Sequence, residues 1–308
     1  MKFTIYQGSR QGSRPYNQDR MAYSYSKEAL LMVLADGMGG HRHGEIAAQI
    51  AVTTLTESFQ KLAQPTLSSP AKFLTTHIQK VHDMIESVRI KDGLLESPRT
   101  TIVAAIIQNN TMYCAHVGDS RLYHFRDGRL LFKTEDHSVV QSLYSKGIIS
   151  KADMATHPYR HKIHNCLGGE QAPKIDLADK SLVFDGDIIL LCSDGVWGVI
   201  DDKSIKNTLF SGEITETVYQ LLDTSEKDGG STSDNMSAIG LFWGDKPKNP
   251  LTISTVTMPI DQTTTIMNVH ESNTDGHTLD ADDLSDEAIN RILAEINSAL
   301  NKTNPKKK

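Results

Sequence analysis

Features typical of secreted, membrane or nucleic-acid-binding proteins are scarce in this 308-residue sequence. The three cysteines, Cys114, Cys166 and Cys192, are odd in number and far apart, so we expect reduced thiols and no disulfide framework. The longest apolar runs reach about seven residues, whereas a membrane-spanning helix needs roughly 18 to 20, and the first residues form no signal peptide. We therefore expect a cytoplasmic protein that does not insert into a membrane.

An excess of positive charge is also missing. The formal net charge of −6 at pH 7 disfavours a broad surface for nucleic acid, so we expect no nucleic-acid partner. A local basic pocket for a single phosphate remains compatible with this charge. The hydrophobic content of 38% is sufficient for a sizeable core.

Three aspartates stand in short polar turns beside apolar runs. Asp36 follows the run Ala29 to Ala35, Asp194 follows Ile188 to Cys192, and Asp234 precedes Met236 to Trp243. A buried strand that stops at such a turn brings a carboxylate to the rim of a sheet, and a following glycine lets the backbone bend. Several such rims build a nest of oxygen ligands, which favours Mg²⁺ or Mn²⁺ over zinc.

The order of the elements indicates an α+β fold. Two amphipathic helices, near 46–62 and 70–88, are followed by strand pairs with Asn-Asn and Asp-Gly turns, which predict an antiparallel meander. A helix over 137–146 and two later helices precede the last strand. Helix pairs kept apart from runs of hairpins favour antiparallel sheets covered by helices over the strict alternation of a dinucleotide-binding fold.

The composition changes near residue 245. We predict a folded domain over 1–244, a disordered linker rich in Thr, Asp and Asn over 245–283, an amphipathic helix over 284–302 and a basic tail over 303–308. The helix needs an apolar surface to pack against. Its own domain, a second copy and another protein are all open as that surface.

The polar motifs together resemble the bacterial branch of the PP2C (PPM) family of metal-dependent serine/threonine protein phosphatases. The resemblance covers roughly residues 3–243, and its motifs follow the family's order. They are Arg14 with Asn17-Gln18-Asp19, Ala35-Asp36-Gly37-Met38-Gly39-Gly40-His41 with Gly44-Glu45, Gly118-Asp119-Ser120-Arg121, Thr134-Glu135-Asp136-His137-Ser138, His157-Pro158 with Leu167-Gly168, Cys192-Ser193-Asp194-Gly195, and Asp234-Asn235.

The resemblance implies an αββα sandwich of two antiparallel sheets flanked by helices, with a C-terminal extension. It also implies two Mn²⁺ or Mg²⁺ ions per active site, and a third, weaker ion. The metal ligands carried over are Asp36, which bridges both ions, the Gly37 carbonyl, Asp194 and Asp234, with Asp19 holding metal-bound waters and Asp119 joining Asp194 at the third ion. The residues expected to act in catalysis are Arg14, Asp36, Asp194 and Asp234.

Arg14 is the expected phosphate-binding group, because its planar guanidinium can hold two phosphate oxygens. The general acid is left open by the sequence. Many eukaryotic members carry a His directly after the metal-binding Asp-Gly, whereas this chain has Met38. His41 and His43 are nearby candidates, of which His41 is the one we assign as the possible acid, and a metal-bound water is the alternative. Gln18 replaces the family's usual Glu and removes one negative charge beside the ions.

The expected function is hydrolysis of phosphoserine and phosphothreonine in phosphorylated proteins by a water that two metal ions activate, reversing a cognate bacterial Ser/Thr kinase. The alternative is a catalytically weak member of the family that serves as a phosphoprotein-binding or regulatory module.

Overall fold

A computed structural model describes residues 1–38 and 43–245, together with the backbone of 253–254 and 265–267. The strands along the chain are β1 (Lys2–Arg10), β2 (Arg20–Tyr25), β3 (Ala29–Ala35), β4 (Ile102–Gln108), β5 (Thr111–Val117), β6 (Arg121–Arg126), β7 (Arg129–Lys133), β8 (Asp176–Leu177), β9 (Ser181–Leu182), β10 (Ile188–Cys192), β11 (Met236–Trp243), β12 (Ile253–Ser254) and β13 (Thr265–Met267). The helices are α1 (Gly44–Leu62), α2 (Pro70–Lys91), α3 (Val139–Ser145), α4 (Lys151–Met154), α5 (Asp194–Trp197), α6 (Asp202–Leu209) and α7 (Ile214–Gly229), and a 3-10 turn covers Gly230–Thr232.

The strands form two sheets in which every described pairing is antiparallel. Sheet A has the order β12-β1-β11-β10-β6-β7, and sheet B has the order β13-β2-β3-β4-β5-β8, with β9 also paired to β5. Helices α1 and α2 pack on sheet B, while α5 and α7 pack on sheet A. This arrangement confirms the expected fold of two antiparallel sheets flanked by helices.

Alternate residues of the central strands face the two hydrophobic layers of the sandwich. In β10, Ile189 and Leu191 belong to the core between the sheets, whereas Ile188, Leu190 and Cys192 pack with the helices on the outer face of sheet A. Both faces of such a strand are buried, which is why its sequence is a continuous apolar run. The run therefore ends where the sheet ends, and the next residues are polar.

One sequence prediction is wrong. The hairpins β4-β5 and β6-β7 do not form one meander, because β5 belongs to sheet B and β6 to sheet A. The turn Gly118–Ser120 carries the chain from one sheet to the other. Each hairpin has its own turn signal, but nothing in the local pattern reports which sheet a hairpin joins.

Other differences are small. The helix predicted over 137–146 begins at Val139, because Ser138 is its N-cap and its side chain accepts a hydrogen bond from the Gln141 amide. Two short strands, β12 and β13, fall inside the segment 245–283 that the composition predicts to be a linker, and they pair with β1 and β2. The predicted helix over 284–302 and the basic tail over 303–308 lie outside the described residues.

Within the described residues, no helix combines the length and the apolar content that crossing a bilayer requires.

Candidate active site

Five aspartates from distant parts of the chain meet at one edge of the sandwich. Asp19 precedes β2, Asp36 follows β3, Asp119 lies in the turn between β5 and β6, Asp194 begins α5 after β10, and Asp234 precedes β11. They influence one another's ionisation: Asp36 is affected by the other four, and Asp194 by Asp234 and Asp19. The predicted carboxylates are therefore brought together.

Two threonines directly before β4 fix the backbone at Asp36. The Thr100 hydroxyl and the Thr101 amide both donate to the Asp36 carbonyl oxygen at 2.9 Å, and the Asp36 amide donates to the Thr101 hydroxyl at 3.1 Å. Gly37 forms an isolated antiparallel bridge with Thr100. These bonds hold the Asp36 backbone and leave its carboxylate available.

Asp19 is the most deeply placed of these side chains, with 0% of its surface exposed. The Ser193 hydroxyl donates to Asp19 Oδ2 at 2.9 Å, and Oδ1 is buried with no hydrogen-bond partner among the described residues. Burial, reinforced by the negative charge of Asp234, raises the pKa of Asp19 to about 6. A buried carboxylate oxygen without a partner is costly and calls for a ligand.

The carboxyl groups of Asp194, Asp119 and Asp36 also have raised pKa values. Burial and then the charges of Asp234 and Asp19 raise the pKa of Asp194 to about 7. Burial and the charge of Asp194 raise the pKa of Asp119 well above its ordinary value, and burial with the charge of Asp19 does the same for Asp36. Such mutual repulsion is relieved by protons or by cations.

Arg14 stands at the exposed side of the cluster. Its Nη2 donates to Asp234 Oδ2 at 2.7 Å, and half of its side chain is exposed. The hydrogen bond with Asp234 raises the pKa of Arg14. The guanidinium is thus charged, is anchored beside the carboxylates and keeps an open side toward solvent.

Asn235 fastens the loop that carries Arg14 to the start of β11. Its Oδ1 accepts from the Gln18 amide at 2.8 Å, and its Nδ2 donates to the carbonyl oxygens of Gln11 at 2.8 Å and Tyr16 at 3.1 Å. The Gln18 side chain in turn donates to Glu45 of α1 at 2.9 Å. These bonds place the loop without engaging the acidic cluster.

The contact between α5 and the start of β11 admits only glycine at position 195. A Cβ atom on Gly195 would lie 2.1 Å from the carbonyl oxygen of Asn235. This close approach brings Asp194, one residue earlier, against Asp234, one residue before Asn235.

Most of the predicted site residues can be placed. Gly37 lies directly beside Asp36, and Arg14 contacts Asp234. His41 lies outside the described residues, so the proposed general acid has no position here. His161 lies where the charges of Asp234 and Arg14 affect its pKa, which burial lowers.

Sequence reasoning quoted Ser193 and Asn235 within motifs but gave them no role. Ser193 bridges two elements, since its hydroxyl donates to Asp19 and accepts from the Ser237 amide at 3.0 Å. Asn235 ties the loop 11–18 to β11. The only sequence signal for these two residues is that they stand directly beside Asp194 and Asp234. Their hydrogen bonds join residues about 40 to 220 positions apart, and the spacing of motifs does not predict such contacts.

Known proteins with similar sequences and structures share this architecture. A sequence model described as protein phosphatase 2C matches residues 8–237. The serine/threonine phosphatase stp of Listeria welshimeri is 31% identical over 229 residues, which cover 73% of this chain and 90% of that protein. The serine/threonine protein phosphatase PstP of Mycobacterium tuberculosis is 32% identical over 212 residues, 68% of this chain, and the matched part is 40% of PstP.

A solved structure of the PstP catalytic domain in complex with two manganese ions superposes with a TM-score of 0.67 at 27% identity, covering 78% of this chain and 98% of that one. The match of the family model to residues 8–237 takes in β2–β10 and all of the described helices. The chain belongs to the protein phosphatase 2C family.

Proposed function

We propose that this chain is a protein serine/threonine phosphatase that hydrolyses phosphoserine and phosphothreonine in phosphorylated proteins. The observation that carries the proposal is the convergence of five buried or half-buried aspartates beside one half-exposed arginine. The similarity to PstP and stp supports the same activity.

The cluster suits divalent cations of the Mg²⁺ and Mn²⁺ class. Its donors are all oxygens, one of them the buried and unpartnered Asp19 Oδ1, and neutralising so many carboxylates requires positive charge. When bound, a pair of such ions supplies a nucleophile at neutral pH by lowering the pKa of a shared water. The residues that would hold them are Asp36, the Gly37 carbonyl, Asp194 and Asp234, with Asp19 acting through bound waters and Asp119 serving a third, weaker ion.

The chain's own groups have distinct tasks in this scheme. Arg14 binds two oxygens of the phosphate and orients the ester for attack from the side of the cluster. Its bond to Asp234 fixes the direction of the guanidinium. The hydrogen bonds between the hydroxyls of Thr100 and Thr101 and the Asp36 backbone hold Asp36 in place before substrate arrives, which lowers the cost of organising the site during the reaction.

The substrates that we propose are phosphoproteins modified by a cognate bacterial Ser/Thr kinase, and the place of action is the cytoplasm. Buried free thiols at Cys114 and Cys192 support a reducing compartment.

Hydrolysis of p-nitrophenyl phosphate and of a phosphothreonine peptide tests the proposal. We expect turnover with Mn²⁺, none with EDTA, and at least a thousandfold loss in Asp36→Asn that remains folded by circular dichroism. Retained activity in Asp36→Asn would reject the mechanism. A folded wild-type protein that binds phosphopeptide without turning it over would instead favour the binding module.

A further inference from the structure

The turn that carries Asp119 is held on both sides by two consecutive residues. On one side, the His137 amide donates to the Gly118 carbonyl at 2.9 Å, and the Gly118 amide donates to His137 Nδ1 at 3.1 Å. On the other side, Arg121 donates to both carboxylate oxygens of Asp136 at 2.8 and 2.7 Å. Asp119 itself has 5% of its surface exposed.

The turn needs this support because its own backbone is unusual. Gly118 has φ +105°, and a Cβ atom there would lie 2.6 Å from the Thr101 side chain. In this conformation the backbone amide and carbonyl of Gly118 depend on neighbouring residues for their hydrogen bonds. The exact direction of the Asp119 carboxylate therefore depends on the groups that hold Gly118.

The hydrogen bonds fix the tautomer of His137. Its Nδ1 accepts from the Gly118 amide and from Asn165 Nδ2 at 2.7 Å. Asn165 is itself oriented, because its Oδ1 accepts from the Lys174 amide and its Nδ2 also donates to the Lys174 carbonyl. The His137 proton must then sit on Nε2, which donates to Asp176 Oδ2 at 3.0 Å.

The same residues could be taken for a cation site, since ligand atoms of His116, His137 and Asp176 lie within 4.8 Å of one another. Both nitrogens of His137 are already engaged, one as acceptor from a backbone amide and one as donor to a carboxylate. Binding a cation at Nε2 would remove the proton that Asp176 accepts. The arrangement is thus a chain of hydrogen bonds that runs from Asp176 to Gly118.

We propose that His137 is a positioning residue for Asp119, acting through the Gly118 amide, and that Asp176 selects the tautomer which makes this possible. The inference rests on the proposed function, in which Asp119 holds the weaker cation. Loss of the Nδ1 acceptor would free the Gly118 amide, loosen the turn and weaken that cation, while the two tighter ions stay bound.

Matched substitutions of His137 separate the effect of its Nδ1 hydrogen-bond acceptor from the effect of its side-chain volume. An asparagine carbonyl can occupy the place of Nδ1, so His137→Asn keeps an acceptor for Gly118, whereas His137→Leu fills similar space without one. In the full chain we expect the Mn²⁺ concentration for half-maximal activity to rise at least tenfold in His137→Leu and by less than about threefold in His137→Asn. Calorimetric titration with Mn²⁺ should show the same weakening of the weakest binding step, independently of activity.

A double substitution distinguishes action through Asp119 from general damage. In the Asp119→Asn background, His137→Leu should change the Mn²⁺ dependence by less than twofold, because its target is already absent. A loss of equal size in both backgrounds would overturn the inference, as would an unchanged Mn²⁺ dependence in His137→Leu. If the wild-type protein shows no metal-dependent turnover at all, the proposed function fails and not this step alone.

Nitrogen-15 NMR of the metal-free protein gives a test that does not depend on folding of the leucine variant. We expect His137 to carry its proton on Nε2, and Asp176→Ala to shift the population toward the other tautomer. A proton on Nδ1 in the wild type would overturn the inference. Movement of the His137 Nε2 signal on addition of Zn²⁺ alone would also overturn it, in favour of a cation site at His116, His137 and Asp176.

Discussion

Asp194→Asn is expected to stabilise the protein when divalent cations are absent. The pKa of Asp194 is raised from its ordinary value of 3.8 to about 7 by burial and by the charges of Asp234 and Asp19. Each tenfold change in an ionisation constant is worth about 1.4 kcal/mol. Ionising Asp194 in the folded state therefore costs about 4 kcal/mol more than in the unfolded chain. Asparagine has the same shape and no charge, so it removes this cost.

The sign of the pH dependence follows from the direction of the shift. Because the folded pKa is the higher one, the folded state binds the proton more tightly, and stability falls as the pH rises from about 4 through about 7. The difference between variant and wild type should grow from about 1 kcal/mol at pH 4.5 to about 4 kcal/mol at pH 8. Local relaxation would reduce the upper figure toward about 2 kcal/mol.

Urea unfolding in EDTA at the two pH values measures this difference. The exposed Asp179→Asn is the matched control and should change stability by less than about 0.5 kcal/mol at either pH. Added Mn²⁺ should stabilise the wild type, by about 2.7 kcal/mol at a hundredfold excess over Kd, and should stabilise Asp194→Asn much less. An Asp194→Asn protein that is less stable than the wild type in EDTA at both pH values would refute the reasoning.

Three further substitutions test other parts of the site. Arg14→Ala should raise KM for a phosphopeptide and lower kcat at least tenfold while calorimetric Mn²⁺ binding survives; steady-state kinetics equal to those of the wild type would contradict its phosphate-binding role. Gly195→Ala should cost at least 2 kcal/mol in urea unfolding because its Cβ would meet the Asn235 carbonyl, whereas Gly169→Ala, which has open space around it, should change little. Gln18→Glu should place a second carboxylate against Glu45, which now accepts a hydrogen bond from Gln18. We expect this repulsion to lower stability by about 1 to 2 kcal/mol at pH 8 but not at pH 4. Equal effects at both pH values would exclude charge repulsion.

The local chemistry of the site was predictable because it coincides with the ends of buried strands. Asp36 and Asp194 follow apolar runs that match β3 and β10 to within one residue of the observed ends. A strand buried on both faces cannot continue into polar residues, so its end is visible in the sequence. This pattern predicts Asp36, Asp194 and Asp234 as site residues, whereas Asp19 and Asp119 are expected only from the family resemblance.

The pairing of distant elements could not be predicted in the same way. The turn at Gly118 looks like an ordinary link between hairpins, yet it transfers the chain between sheets. The strands β8 and β9 have only two residues each, too few to show alternation. The hydrogen bonds of His137 connect the turn after β5, the segment near Asn165 and β8. This arrangement depends on the pairing of β5 with β8, which the sequence pattern does not show.

The sheet topology links the acidic site to the stability of the edge of the sandwich on which it lies. Asp36 comes from sheet B, Asp194 and Asp234 come from sheet A, and Asp119 lies where the chain passes between the sheets. Their mutual repulsion acts across the sandwich, so in the absence of cations it pushes the two sheets apart at this edge. In the proposed function, divalent cations held by both sets of carboxylates would replace this repulsion with attraction. A cluster that is unfavourable by itself would thus make the arrangement of this edge depend on the ions that the proposed reaction requires.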